Sequence, residues 1–275
     1  MRDATDQRQA GNITEAVTRV LNESSMAVLA TLVEAAQEVG AKLLVEESGA
    51  RVGSLSDSAL DESVARYARA FLDSRAEAAV FRVKEFAKDE LKDWGAARIL
   101  FERIEPEPRL VICGAGHVGA ALAHLARFLG YRTTLIDDRE DFLTRARFPD
   151  ECIELVVAES WTEVVERCVG RGHGVSVAVV TRGHNEDEEC MRAVINTRPD
   201  YVGLIGSRRR TNIVLGRLRE AGVADEKLRE VRAPIGLDIA AVSPQEVALS
   251  ILAEIVAERR GGTGQPLSKW RRERS

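Results

Sequence analysis

Arg109-Leu-Val-Ile-Cys-Gly114-Ala-Gly116-His117-Val-Gly119 runs an apolar stretch into a Gly-x-Gly-x-x-Gly turn and from there into the helical pattern that starts at Ala120. A strand that delivers such a turn into a helix builds a phosphate cradle. Gly114 permits the tight turn, Gly116 lets the backbone approach a pyrophosphate, and Gly119 lets the helix pack on the strand. The first helical turn then offers unpaired N–H groups and the positive end of its dipole to an anion. The helix stops at Gly130, a strand follows at residues 133–136, and Asp137 and Asp138 end it. An acid about 20 residues past the glycines is where a dinucleotide site holds a ribose diol. Strand, turn, helix, strand and acid in this order predict a Rossmann-like fold.

The 275 residues suffice for two modest domains without disulfides or metals. A net charge of −5 speaks against a general nucleic-acid binder. No apolar run reaches the length of a membrane span, and the polar opening Met1-Arg-Asp-Ala-Thr-Asp-Gln7 does not read as a secretory signal, so a cytoplasmic location is expected. Cys113, Cys152, Cys168 and Cys190 lack Cys-x-x-Cys spacing, and most of them read as small core residues rather than a zinc site or redox pair.

The alternating acids and prolines of Glu102-Arg-Ile-Glu-Pro106-Glu-Pro108 predict a linker that joins neither neighbouring sheet. Residues 1–105 then form a small α+β domain. It has a short helix at 13–21, strands at 26–33, 79–83 and 98–101, a hairpin of 42–45 with 52–55, and a helix carrying Leu60, Val64, Ala68, Phe71 and Leu72. Residues 106–262 form a doubly wound parallel sheet of five strands, the later ones at 153–157, 175–180 and 201–205, with helices at 162–168 and 187–196. Ser243, Pro244 and Glu246 open the final helix with a capping box, and Gly261 ends it. The basic stretch 263–275 has no periodicity and reads as a disordered tail.

In a doubly wound sheet the ligand crevice opens at the switch point, here between the first and fourth strands. The fourth strand ends in Thr181-Arg182-Gly183-His184 and the fifth in Gly206-Ser207-Arg208-Arg209-Arg210, with Ser207 as N-cap. Arginines in a first helical turn oppose the dipole unless an anion compensates, which favours a phosphate or carboxylate ligand. The candidate cofactor-binding set is therefore Gly114, Gly116, His117, Gly119, Asp137, Asp138, Thr181, Arg182, His184, Gly206, Ser207 and Arg208. Neither His117 nor His184 has metal-ligand company, and no catalytic constellation is visible, so no catalytic or metal residue is assigned. The run Glu186-Asp-Glu-Glu189 reads as first-turn acids, and Gly53-Ser-Leu-Ser-Asp57-Ser58 as a capped strand-to-helix loop. NAD(P) is an alternative ligand, which would make the chain an oxidoreductase; a nucleotide-sensing regulator is a third reading.

Several stretches also resemble the XdhC/CoxI family of accessory proteins for xanthine dehydrogenase and related molybdenum hydroxylases. These are Cys113-Gly-Ala-Gly-His117-Val, Leu135-Ile-Asp-Asp138-Arg, Thr181-Arg-Gly-His184, Tyr201-Val-Gly-Leu-Ile-Gly-Ser207-Arg-Arg, Ala233-Pro-Ile-Gly-Leu-Asp238-Ile and Ser243-Pro-Gln-Glu-Val-Ala. The resemblance implies a non-enzymatic chaperone that binds molybdenum cofactor, as molybdopterin or its dinucleotide form. It further implies help with sulfuration by a cysteine desulfurase, delivery to an apo molybdenum hydroxylase of the xanthine dehydrogenase type, and a homodimer. In the small domain, Glu34-Ala-Ala-Gln-Glu-Val39 replaces the family's Gly-Ser-x-Pro-Arg loop. Ala59 stands where the family has the cysteine of a Gly-Gly-Cys-x-Glu stretch, which leaves no thiol there to ligate molybdenum or carry sulfur.

Overall fold

The computed structural model describes residues 2–170 and 173–268, with the side chains of 2–11 and 88–90 outside that description. The chain divides into two compact units, Met1–Pro106 and Glu107–Ser275. Unit 1 contains α1 (Arg2–Asn22), β1 (Ala27–Glu34), β2 (Lys42–Glu46), β3 (Arg51–Ser54), α2 (Ser58–Asp73), β4 (Ala78–Arg82), the single turn α3 (Val83–Phe86) and β5 (Arg98–Ile104). Its sheet has the order β3-β2-β1-β5-β4 and every neighbour is antiparallel. The period-2 alternation of β1 sends Val28, Ala30 and Leu32 to a core with Leu60, Val64, Ala68 and Phe71 of α2, while Ala27 and Leu44 meet Ala16 and Val20 of α1 on the other face. The apolar spacing at 13–21 thus finds the packed part of a longer helix, α1.

The linker is shorter than the sequence suggests. Residues 102–104 continue β5, with Ile104 opposite Ala27 and Glu102 opposite Leu29. Proline removes only its own N–H, and the first one stands at Pro106. Arg103 upstream still donates its amide to Glu77 O at 2.7 Å.

Unit 2 contains β6 (Arg109–Cys113), α4 (His117–Phe128), β7 (Arg132–Asp137), β8 (Ile153–Val157), α5 (Trp161–Val169), β9 (Val175–Val179), α6 (His184–Thr197), β10 (Tyr201–Leu204), α7 (Arg208–Glu220), α8 (Asp225–Glu230) and α9 (Pro244–Arg260). The sheet is parallel throughout, in the order β10-β9-β6-β7-β8. Along β6, Leu110 and Ile112 face Leu122, Ala126, Ile251 and Ile255 of α4 and α9. Val111 and Cys113 face the other way, toward Val165, Met191, Val194 and Val214 of α5, α6 and α7. The chain leaves β6 in one direction through β7 and β8 and returns to its other flank at β9, so the switch point lies between β6 and β9. The capping box of Ser243 and Glu246 opens α9. Of the basic stretch 263–275, residues 263–268 carry no helix or strand and 269–275 lie outside the described residues. Among the described residues no helix is long and apolar enough to cross a membrane.

The three glycines of the turn have separate duties. Gly114 sits at φ +116°, and a Cβ there would come within 2.6 Å of Val180 O; a Cβ on Gly119 would lie 1.8 Å from Gly114 O. A Cβ on Gly116 meets nothing within 4 Å. Gly119→Ala is therefore expected to cost about 3 kcal/mol through forced separation of α4 from the turn, and Gly116→Ala within about 1 kcal/mol. Urea denaturation of both variants checks this; equal stabilities would contradict the close packing of α4 on β6.

Candidate functional site

The carboxyl ends of β6, β7, β9 and β10 open onto a cavity of about 530 Å³, with the N-terminus of α4 as one wall. The helix begins at Gly116, which has no side chain to cap it, so the first-turn N–H groups are offered to the cavity. Beside it, the Asp137 carboxylate is 1% exposed and saturated from within the protein. It accepts the Ala115 N–H at 2.6 Å, the Arg139 N–H at 3.0 Å, and the Arg139 guanidinium at 2.8 and 2.9 Å. Burial pushes this carboxyl up, but the guanidinium and the two amide donors together outweigh burial and hold it below the ordinary carboxylate value.

From this clamp a ladder of charge crosses the cavity. Arg139 lies over the Phe142 ring at 3.7 Å and reaches Asp138 at 3.8 Å. Asp138 receives a two-pronged pair from Arg182, at 2.9 and 3.0 Å, and Arg182 also approaches Glu186 at 3.5 Å. Strand ends β7 and β9 are thereby tied across the switch point by a partly exposed ion pair.

A second, buried pair braces the other side. Asp187, fully buried on α6, accepts from Thr181 Oγ1 at 2.5 Å and from Arg210 at 2.5 and 2.9 Å. Burial pushes its carboxyl up, against the opposing pull of Thr181 and Arg210. Glu186 and Asp187 lie in the first turn of α6, as the sequence predicts, and Arg210 on the next helix comes back to neutralise Asp187. Ser207 caps α7 through the Arg210 N–H, as its position implied.

The cavity wall brings together Gly114, Gly116, His117, Asp137, Asp138, Thr181, Arg182 and Gly206. Gly119 stands behind it, packed on the turn, and His184, Ser207 and Arg208 are not on the wall: His184 and Arg208 are exposed at the starts of α6 and α7. The sequence reading missed Arg139, Phe142, Trp161, Glu186 and Arg210 as wall residues. Arg139 could have been suspected, since it directly follows the paired acids. Cys113 and Cys190 are buried, Cys168 is half-buried and Cys152 is exposed, so the core reading holds for the first two, and Cys152 is the exception.

In unit 1, Asp57 caps α2 through the N–H groups of Ala59 and Leu60 at 2.8 and 3.0 Å and accepts from Trp94 Nε1 at 3.0 Å. Asp61 takes Ser54 Oγ and the Leu55 N–H, both at 2.7 Å. The loop at 53–58 is thus a cap whose polar groups serve the backbone. Ala59 lies exposed in the first turn of α2.

The profile of the XdhC Rossmann domain matches residues 110–255, and that of the XdhC and CoxI family matches residues 20–84. The chain belongs to the XdhC family. It is 32% identical over 232 residues to the uncharacterized protein YqeB of Escherichia coli strain K12, covering 83% of this chain and 42% of that protein. It is 26% identical over 154 residues to the molybdenum cofactor insertion chaperone PaoD of the same strain, covering 56% of this chain and 41% of PaoD. The chain thus spans less than half the length of these relatives. A crystal structure described as a xanthine dehydrogenase from Bacillus halodurans shares the fold, with a TM-score of 0.50 at 18% identity, over 93% of this chain and 98% of that one.

Because the native Asp137 titrates below its ordinary value of 3.8, its contribution to stability is complete above that pH and is lost as pH falls through the lowered value. Asp137→Asn is expected to cost about 1–3 kcal/mol at neutral pH. The gap from the unsubstituted protein should close in acid. Urea unfolding of both proteins across acidic pH measures it; a gap that persists in acid would show that the charge is not what matters.

Proposed function

We propose that this chain holds molybdenum cofactor in the crevice at the α4 N-terminus and passes it to an apo molybdenum hydroxylase of the xanthine dehydrogenase type. The observation that carries this reading is the open glycine cradle at Gly116. Free first-turn amides, an uncapped helix start and nearby guanidinium groups are what a phosphate ester or diphosphate requires. His117 on the rim and Arg182 across the cavity would face the phosphate. The bound cofactor is cargo here, and its molybdenum–pterin centre supplies hydroxylation chemistry in the client enzyme.

The first acid at the end of β7 favours a phosphate reading over a nicotinamide one. Asp137, the acid at the ribose position, is buried and spent on the turn and on Arg139, so that carboxylate is not left open for a ribose diol. The family and the relative PaoD support the choice of cargo. Ala59 supplies no thiol at α2, so the reading assigns that helix start no part in carrying sulfur and leaves a cysteine desulfurase as the proposed sulfur donor.

Protein purified from cells grown with added molybdate should release fluorescent oxidised pterin. Gly116→Val should lower that yield at least about tenfold, the equivalent of ~1.4 kcal/mol, at a stability cost of only about 1 kcal/mol. Recovery of tightly bound NAD(P) in place of pterin would refute the proposal.

A further inference from the structure

Next to the cradle lies a second compartment of about 400 Å³, which shares Val118, Ile205 and Gly206 with it. Its other walls are largely aliphatic and come from the loop that joins α8 to α9, including Ile235, Leu237 and Ile239, and from Val247 and Ser250 of α9. One carboxylate interrupts them. Asp238 lines the compartment, exposed to solvent, and has no hydrogen-bond or ion-pair partner among the described residues, whereas the acids of the neighbouring cavity are engaged.

The backbone that presents Asp238 is held on both sides. Ile235 N–H donates to Leu204 O at 3.0 Å, Gly236 N–H to Glu254 Oε2 at 2.9 Å, and Leu237 N–H to Ser250 O at 3.2 Å. Glu254 also accepts the Tyr201 hydroxyl at 2.5 Å, which ties the loop to both α9 and β10. Beyond Asp238, the Val242 and Ser243 amides are fixed by Glu246. Three consecutive pinned amides before it and two after it give the Asp238 side chain a defined origin, the preorganisation that recognition needs.

An open, largely aliphatic pocket with one unpaired carboxylate beside the proposed phosphate cradle matches a specific heterocycle edge. A 2-amino-4-oxopyrimidine ring, found in pterins and in guanine, presents an exocyclic amine and a ring N–H side by side as two parallel donors. A carboxylate accepts both. Rings that carry a carbonyl or only hydrogen at that amino position offer it at most one donor. Resting on the cofactor-cradle reading, we infer that this compartment takes the 2-amino-4-oxopyrimidine end of a diphosphate-bearing ligand and that Asp238 is the residue that selects it.

The test uses the full chain and four probes: inorganic pyrophosphate, 6-hydroxymethylpterin diphosphate, GDP, and IDP, which differs from GDP only by lacking the amino group. Calorimetric titration should show the pterin diphosphate, GDP or both binding at least about tenfold tighter than IDP, the scale of hydrogen bonds to a charged group. The tighter of the two identifies the source of the ring. Asp238→Ala and Asp238→Asn should abolish that preference while pyrophosphate binding stays unchanged. Equal binding of GDP, pterin diphosphate and IDP, or a preference that survives in both variants, overturns the role of Asp238 and leaves the cradle standing. Failure of pyrophosphate to bind, or binding indifferent to Gly116→Val, overturns the cradle and this inference together.

Discussion

The crevice depends on one buried carboxylate. Asp137 ends β7 and accepts the Ala115 amide, which belongs to the turn that leaves β6, so the two central strands are locked together where the ligand would sit. A buried acid is costly unless donors surround it, and here four N–H groups do so. The same contacts orient Arg139, whose guanidinium then stacks on Phe142 and forms part of the cavity wall. The residue that looks like a ribose ligand in the sequence thus builds the cradle.

Two ion pairs flank this clamp and differ in what they permit. Arg182 and Asp138 are partly exposed, and pairs of that kind contribute roughly 0–1 kcal/mol, so Arg182 can exchange its carboxylate for a phosphate at little cost. Asp187 is fully buried beneath Arg210, and separating them would strand a charge, a loss of about 3–5 kcal/mol. The wall near α7 is therefore rigid while the Asp138–Arg182 bridge is exchangeable.

Much of this was legible in the residues and some was not. Glycines at positions 114 and 119 announce the turn because a Cβ would strike Val180 O in one case and Gly114 O in the other. Alternation in β6 and the capping box at Ser243 fix strand faces and a helix start by local rules. What escaped is what depends on a distant partner. Asp187 is legible as a first-turn acid of α6, but its burial and its pairing with Arg210, 23 residues on, are not. Residues 102–104 read as linker because the acids and prolines around them mask the pairing with β1. His184 and Arg208 stand at helix starts beside the crevice, yet a helix start points successive side chains about 100° apart, and these point outward.

The two helix starts that border glycine-rich or serine-rich loops also explain where an anion would go. At α2 the cap is Asp57, a carboxylate that already satisfies the amides of Ala59 and Leu60 and is held below its ordinary value by those N–H groups and by Trp94. An anionic ligand would have to displace one negative group with another there. At α4 the cap is Gly116, which leaves the same kind of amides open and adds no charge. The start of α2 in unit 1 is thus neutralised internally by Asp57, whereas the start of α4 in unit 2 keeps its dipole and amides available to an anion.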